Sequence, residues 1–227
     1  MDRIYQSLSR VFSWKFYALG FFWIVLKYRK HKILWISALN LILILIEAWF
    51  GSIVVATNLV PWTITVHLLL ALVIIALQLY IIRIISPIQK TNLPMENTLR
   101  ILVFVVFAIT FYQMFLGTQV REYIDQLTKQ GFGRETWTSK LGLPFYIHRS
   151  FSWLVLVLVV FIAWKNEQTQ KYFIIRSAFV ILALELISGV LLAYADMPGL
   201  VQTSHLIFAS ILFGILWMAT LRINKMN

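Results

Sequence analysis

The chain has 227 residues, 60% of them hydrophobic and 13% charged, and its mean hydropathy is +0.81. Soluble domains average about 45–50% apolar and roughly 25% charged residues, which excludes a water-soluble globule; 17 Phe, 9 Trp and 9 Tyr exclude a disordered chain. The lack of cysteine excludes disulfides, thiolate metal sites and cysteine nucleophiles.

About 20 apolar residues cross a bilayer core of roughly 30 Å. Seven runs meet that requirement, predicting helices over 4–26, 33–57, 62–82, 102–120, 145–164, 173–195 and 200–221. The third, fourth and seventh hold no Asp, Glu, Lys or Arg, and their apolar character is not confined to one helical face. Pro61 and Pro198 stand just before spans, where proline starts a helix without losing a needed hydrogen bond. The start, Met1-Asp2-Arg3, leads into an apolar stretch with no small-residue cleavage site.

The formal charge of +11 is explained by its distribution. Segments 27–32, 83–100, 165–176 and the C-terminal tail lie on one side and carry twelve bases against two acids, whereas 121–140 carries four bases and three acids. Basic loops stay cytoplasmic, so the C-terminus is expected inside and the N-terminus of a seven-span chain outside. The charge then reflects membrane orientation and contact with lipid headgroups, not nucleic acid.

The sequence repeats itself. Ser9-Arg10-Val11-Phe12-Ser13-Trp14 aligns with His148-Arg149-Ser150-Phe151-Ser152-Trp153 at an offset of 139. Glu47, Gly51 and His67 align with Glu185, Gly189 and His205 at an offset of 138, with four residues from Glu to Gly and 20 from Glu to His in both copies. The second copy has four predicted helices and the first has three. The expected fold is all-α: a polytopic membrane protein of seven transmembrane helices, a pseudo-twofold parallel repeat of four-helix bundles with the first helix of copy one missing. An incomplete N-terminus and a natural seven-span form both remain open. The expected divisions are 1–86 for the three-helix half, 87–101 for a cytoplasmic linker and 102–227 for the four-helix half.

Ionisable residues inside a membrane are costly and point to function. His148 and His205 lie about five and six residues inside the outer ends of alternate helices, so they can face each other across the second bundle; His67 holds the same depth in the first copy, with Ser9 at the fourth position. Two imidazoles meeting in an apolar bundle can hold a haem iron through both axial positions; the other reading is a pair bonded to backbone or hydroxyls. Arg149 and its counterpart Arg10 either pair with haem propionates or snorkel to headgroups. Glu47 and Glu185 each stand one turn before a glycine, and Gln113 with Gly117 repeats the pattern on a third helix. The glycines admit either a close helix or a flat porphyrin. The carboxyls serve packing or a proton path, Lys15 snorkels or pairs with Glu47, and His31 is a solvated loop residue. The 121–140 loop, with Trp137, either caps the bundle or is ordinary solvated chain.

Together His148-Arg149, Gly117-Thr118-Gln119-Val120-Arg121, Glu185-xxx-Gly189, His205, Glu47-xxx-Gly51, Pro61-Trp62 and His67 resemble the haem A synthase family over nearly the whole chain. The resemblance implies a membrane oxidoreductase that oxidises a methyl group of haem O to the formyl of haem A for cytochrome oxidase assembly. It implies haem b as cofactor on His148 and His205, with Arg149 and Arg10 as cofactor-binding residues. It also implies haem O in the first half, with His67 as an iron ligand and His67 and Glu47 as catalytic residues. Implied partners are haem O, an electron donor of unknown identity, haem O synthase and cytochrome oxidase, with a homo-oligomer left open. The implied location is a bacterial inner membrane, histidines toward the outer leaflet. The sequence departs from the family at Ser9 and Gln6, where the pattern has His and Glu. A cytochrome b-like electron carrier, a transporter built on a parallel repeat, and an inactive truncated fragment are the competing readings.

Overall fold

The computed structural model describes residues 19–20, 22–23, 25–27, 32–58, 60–86, 96–169 and 171–223. They form α1 (Lys32–Ala56), α2 (Pro61–Ile85), α3 (Asn97–Lys129), a short α4 (Arg134–Lys140), α5 (Leu143–Gln168), α6 (Phe173–Tyr194) and α7 (Gly199–Ile223), with no strand among the described residues. Positions 19–20, 22–23 and 25–27 are helical too. The rest of the predicted 4–26 span lies outside the described residues, and so do Ser9, Arg10, Lys15 and His31.

Six of the helices, all but α4, are long and apolar enough to cross a membrane. Their outward side chains suit hydrocarbon: Trp35, Phe173 and Leu200 are 79%, 78% and 85% exposed, a surface that water would not tolerate on this scale. The chain is an integral, multi-pass membrane protein. Proline sits in the first turn of α2 and of α5, where the missing N–H costs nothing. Asn58, between α1 and α2, and Asp196, between α6 and α7, both adopt φ 53°, the left-handed conformation that short polar side chains tolerate best.

Helices α3, α5, α6 and α7 close into a ring, and α2 joins it by packing on both α3 and α7. One end of the ring is filled with apolar side chains: Leu99, Val103 and Val106 of α3 meet Val155, Val159 and Ile162 of α5, with Ala178 and Leu182 of α6 and Leu212 and Leu216 of α7. A second seam, Leu72, Met114 and Phe213, fastens α2 to the ring. At the other end Trp137 of α4 is buried among Ile124, Leu127, Leu141, Phe145 and Met197, and its indole N–H donates to Phe132 O at 3.0 Å. The segment after residue 120 therefore caps the bundle.

This cap differs from the sequence expectation in one respect. The fourth predicted span ends at residue 120, but α3 continues to Lys129. An Arg121–Asp125 ion pair at 2.8 Å bridges one helical turn, and Ile124 and Leu127 supply an apolar stripe for Trp137 to cover. At 1.5 Å per residue the 33-residue helix is about 50 Å long, well beyond the hydrocarbon core. Its end and the start of α4 tie down the two turns beside them: Lys129 Nζ donates to Asn58 O at 2.6 Å, and Arg134 to Met197 O at 2.7 Å.

The α5–α6 turn at the opposite end depends on one side chain. Asn166 is fully buried; its Nδ2 donates to Tyr172 O at 3.2 Å and its Oδ1 accepts from Tyr172 N at 2.8 Å. Nearby, Lys165 bonds Glu96 at 2.7 Å and holds that carboxyl below its ordinary pKa. Asn166→Ala removes the buried amide that bonds both Tyr172 N and Tyr172 O and is expected to destabilise the protein by about 1–3 kcal/mol. Thermal melting in detergent checks this, with the exposed Ser139→Ala unchanged.

Candidate functional site

Between the apolar plug and the cap, the bundle carries two imidazoles. His148 and His205 stand within two turns of the starts of α5 and α7. Because α6 runs back between them, these two helices are parallel and hold the rings at one depth. The ring centres are 6.4 Å apart and the planes cross at 82°.

The polar contacts of the rings define their protonation. His148 Nδ1 lies 3.2 Å from the backbone carbonyl of Gln113, a group that only accepts, so Nδ1 carries the proton. The Gln113 amide reciprocates, donating to His148 O at 2.9 Å and Ser152 Oγ at 3.1 Å. His205 Nδ1 lies 2.8 Å from Ser188 Oγ, whose own proton is used on Glu185 O at 2.7 Å. The hydroxyl therefore accepts from His205, and the carbonyl and carboxylate oxygens of Glu185 lie 3.2 Å from the same nitrogen. In both rings Nδ1 is the donor and Nε2 keeps its lone pair, with no hydrogen bond to the described residues.

Each imidazole is seated against a glycine of the neighbouring helix. A Cβ on Gly117 would meet His148 Cε1 at 3.6 Å, one on Gly189 would meet His205 Cε1 at 3.3 Å, and one on Gly51 would meet His67 Cε1 at 3.2 Å. The three Glu-xxx-Gly and Gln-xxx-Gly patterns have one meaning: the glycine opens a space for the ring, and the polar residue one turn earlier meets its Nδ1. The group that meets each of these glycines among the described residues is an imidazole edge.

In the first half His67 Nδ1 lies 3.0 Å from Glu47 Oε1, and Phe50 stacks on the ring at 6.5 Å with planes 22° apart. The described residues bring no second imidazole to His67. Above it, Thr65 Oγ1 of α2 donates to Glu122 Oε1 at 2.7 Å and lies 2.8 Å from Thr118 Oγ1, and Arg121 reaches Gln202 of α7 at 2.6 Å. Arg149 is exposed and lies against Tyr194, donating to its hydroxyl at 2.8 Å. Among the described residues no three His, Asp or Glu side chains converge on one point, so a metal held by the histidine pair would have to bring further ligands of its own.

A family model for cytochrome oxidase assembly proteins, COX15-CtaA, matches residues 7–217. The chain belongs to this family. No curated protein matches it. Membership in the COX15-CtaA family, the haem A synthase family, assigns the chain to cytochrome oxidase assembly. All three Gly–imidazole seats lie within the matched residues.

Sequence reasoning on this family member missed two things. The sequence does not show that Glu47 and Glu185 each set a carboxyl oxygen against an imidazole, an arrangement that either packing or a proton path could use. Ser188 was not singled out, because a serine in an apolar helix usually bonds its own backbone; its spacing, three residues after Glu185 and one before Gly189, is the signal. For the seats, Gly189→Ala and Gly51→Ala are expected to lower stability by about 1–3 kcal/mol through overpacking, less the roughly 0.5–1 kcal/mol that alanine gains in a helix. Gly199→Ala, with nothing within 4 Å of the new methyl, is expected to leave the melting temperature unchanged or raised.

Proposed function

We propose that this chain is a haem A synthase: a membrane oxidoreductase that converts a methyl group of haem O to the formyl of haem A. The observation that carries the reading is the His148–His205 pair. An imidazole nitrogen binds a metal at about 2.0–2.1 Å, which sets two rings on opposite sides of one ion with centres about 6 Å apart. The pair stands at 6.4 Å with both Nδ1 atoms already occupied. Metal-bound histidines characteristically give their other N–H to a backbone carbonyl or hydroxyl partner, and the lone pairs left on Nε2 call for a Lewis acid. A haem suits this site because the porphyrin supplies the remaining ligands.

His148 and His205 would hold a haem b, with Arg149 beside Tyr194 available for a propionate. When bound there, the haem supplies one-electron redox chemistry. In the first half His67, oriented by Glu47 and Phe50, would hold the haem O substrate, with Glu47 as its catalytic partner. An electron donor is required. Haem O synthase and cytochrome oxidase are the natural neighbours.

The finer architecture belongs to the same proposal: seven spans, counting 4–26, in two homologous units, 1–86 and 102–227, joined by 87–101. It is supported by the repeated His–Gly seats and by the equal backbone angles of Asn58 and Asp196, which are 138 positions apart. The basic loops would face the cytoplasm of a bacterial inner membrane and the histidines the outer leaflet.

The purified chain is expected to carry a six-coordinate low-spin haem. His148→Ala and His205→Ala should each abolish that spectrum, and His31→Ala should leave it unchanged. Extraction and chromatography of haems after co-expression with a haem O source then tests the chemistry. Haem A is expected from the wild type and less than about a tenth as much from His67→Ala, which keeps the low-spin spectrum. A red protein that leaves haem O untouched would be a b-type electron carrier instead.

A further inference from the structure

The two histidine sites share a Glu-xxx-Gly seat but differ at the residue just before the glycine. Glu47, Gly51 and His67 correspond to Glu185, Gly189 and His205, but the residue just before the glycine is Ser188 in the second half and Phe50 in the first. Ser188 is buried at 4% exposure. With its proton committed to Glu185 O, it offers His205 Nδ1 the nearest acceptor, at 2.8 Å, beside the Glu185 carbonyl at 3.2 Å, so the lone pair is confined to Nε2. Phe50 has no such group. It stacks on His67, and although Glu47 Oε1 is 3.0 Å from Nδ1, that nitrogen makes no aligned hydrogen bond. The His67 side chain is also more exposed, 40% against 24% for His205.

We propose that Ser188 is a positioning residue that locks His205 in the Nδ1–H tautomer as a permanent metal ligand, and that Phe50 leaves His67 unlocked so that its occupant can exchange. This rests on the haem reading of the pair. The asymmetry is what a resident cofactor and a transient substrate require of two otherwise equivalent sites: one ring prepared in advance, the other able to bind and release.

Nitrogen NMR of the full chain in detergent, with labelled histidine, reads the lock without any haem. His205 in the wild type is expected as a single Nδ1–H tautomer and His67 as a mixture. Ser188→Ala leaves His205 Nδ1 with the Glu185 carbonyl at 3.2 Å and should lower its share of the Nδ1–H tautomer, Ser188→Thr should preserve the lock, and Phe50→Ser should shift His67 toward the single tautomer. In the haem-loaded chain Ser188→Ala should weaken haem affinity about 10–100-fold, the usual effect of losing a partner of a metal ligand, with Ser188→Thr close to wild type. Unchanged tautomer and affinity in Ser188→Ala would overturn the inference and leave the haem reading intact. A wild type that takes up no haem, yet shows the expected tautomer changes, would instead remove the haem reading and the ligand role given to Ser188. Should Ser188→Ala fail to fold, Phe50→Ser decides: an unmoved His67 signal contradicts the proposal.

Discussion

An imidazole inside an apolar bundle has two ring nitrogens to satisfy, and leaving a buried polar group unpaired costs about 1–3 kcal/mol. The rest of the site follows from how this chain meets that demand. A helix offers no free carbonyl along its interior unless a neighbour comes very close, and close approach needs a residue without a side chain. Glycine at positions 51, 117 and 189 provides it, so that the ring of the next helix reaches the carbonyl, hydroxyl or carboxylate one turn away. One nitrogen of each paired ring is thereby occupied, and the other makes no hydrogen bond to the described residues.

The rest of the bundle holds that arrangement steady. The apolar plug of Leu99, Val103, Val159 and Leu216 fixes α3, α5 and α7 relative to one another on one side of the histidines. Trp137 and the extended end of α3 close the other side. Between these two rigid ends the polar residues Gln113, Ser152 and Ser188 have few alternatives to the bonds they make, which is how the 6.4 Å ring separation is kept.

Much of this is legible in the sequence because polar residues stand out in apolar helices. His148, His205, His67 and the glycines at fixed spacing mark the sites, and hydropathy alone locates α1, α2, α5, α6 and α7 to within a few residues. What stays hidden is what hydropathy does not encode. Residues 121–129 are helical because Arg121 pairs with Asp125 and Ile124 and Leu127 find Trp137, contacts between segments that a run of apolar letters does not record. Ser188 is equally silent: its role appears only when α7 brings His205 to it. The purpose of Glu47 and Glu185 waits on the same helix pairing, since a carboxyl one turn from a glycine has no meaning until the ring on the next helix is known.

Electron paramagnetic resonance of the ferric, haem-loaded chain tests the central claim most directly, because it reports both the number of axial imidazoles and their mutual angle. Two ligands with planes crossed near the observed 82° predict a single low-spin signal of the strongly anisotropic kind given by perpendicular imidazoles. A high-spin signal, or the rhombic low-spin signal of parallel rings, would contradict the account.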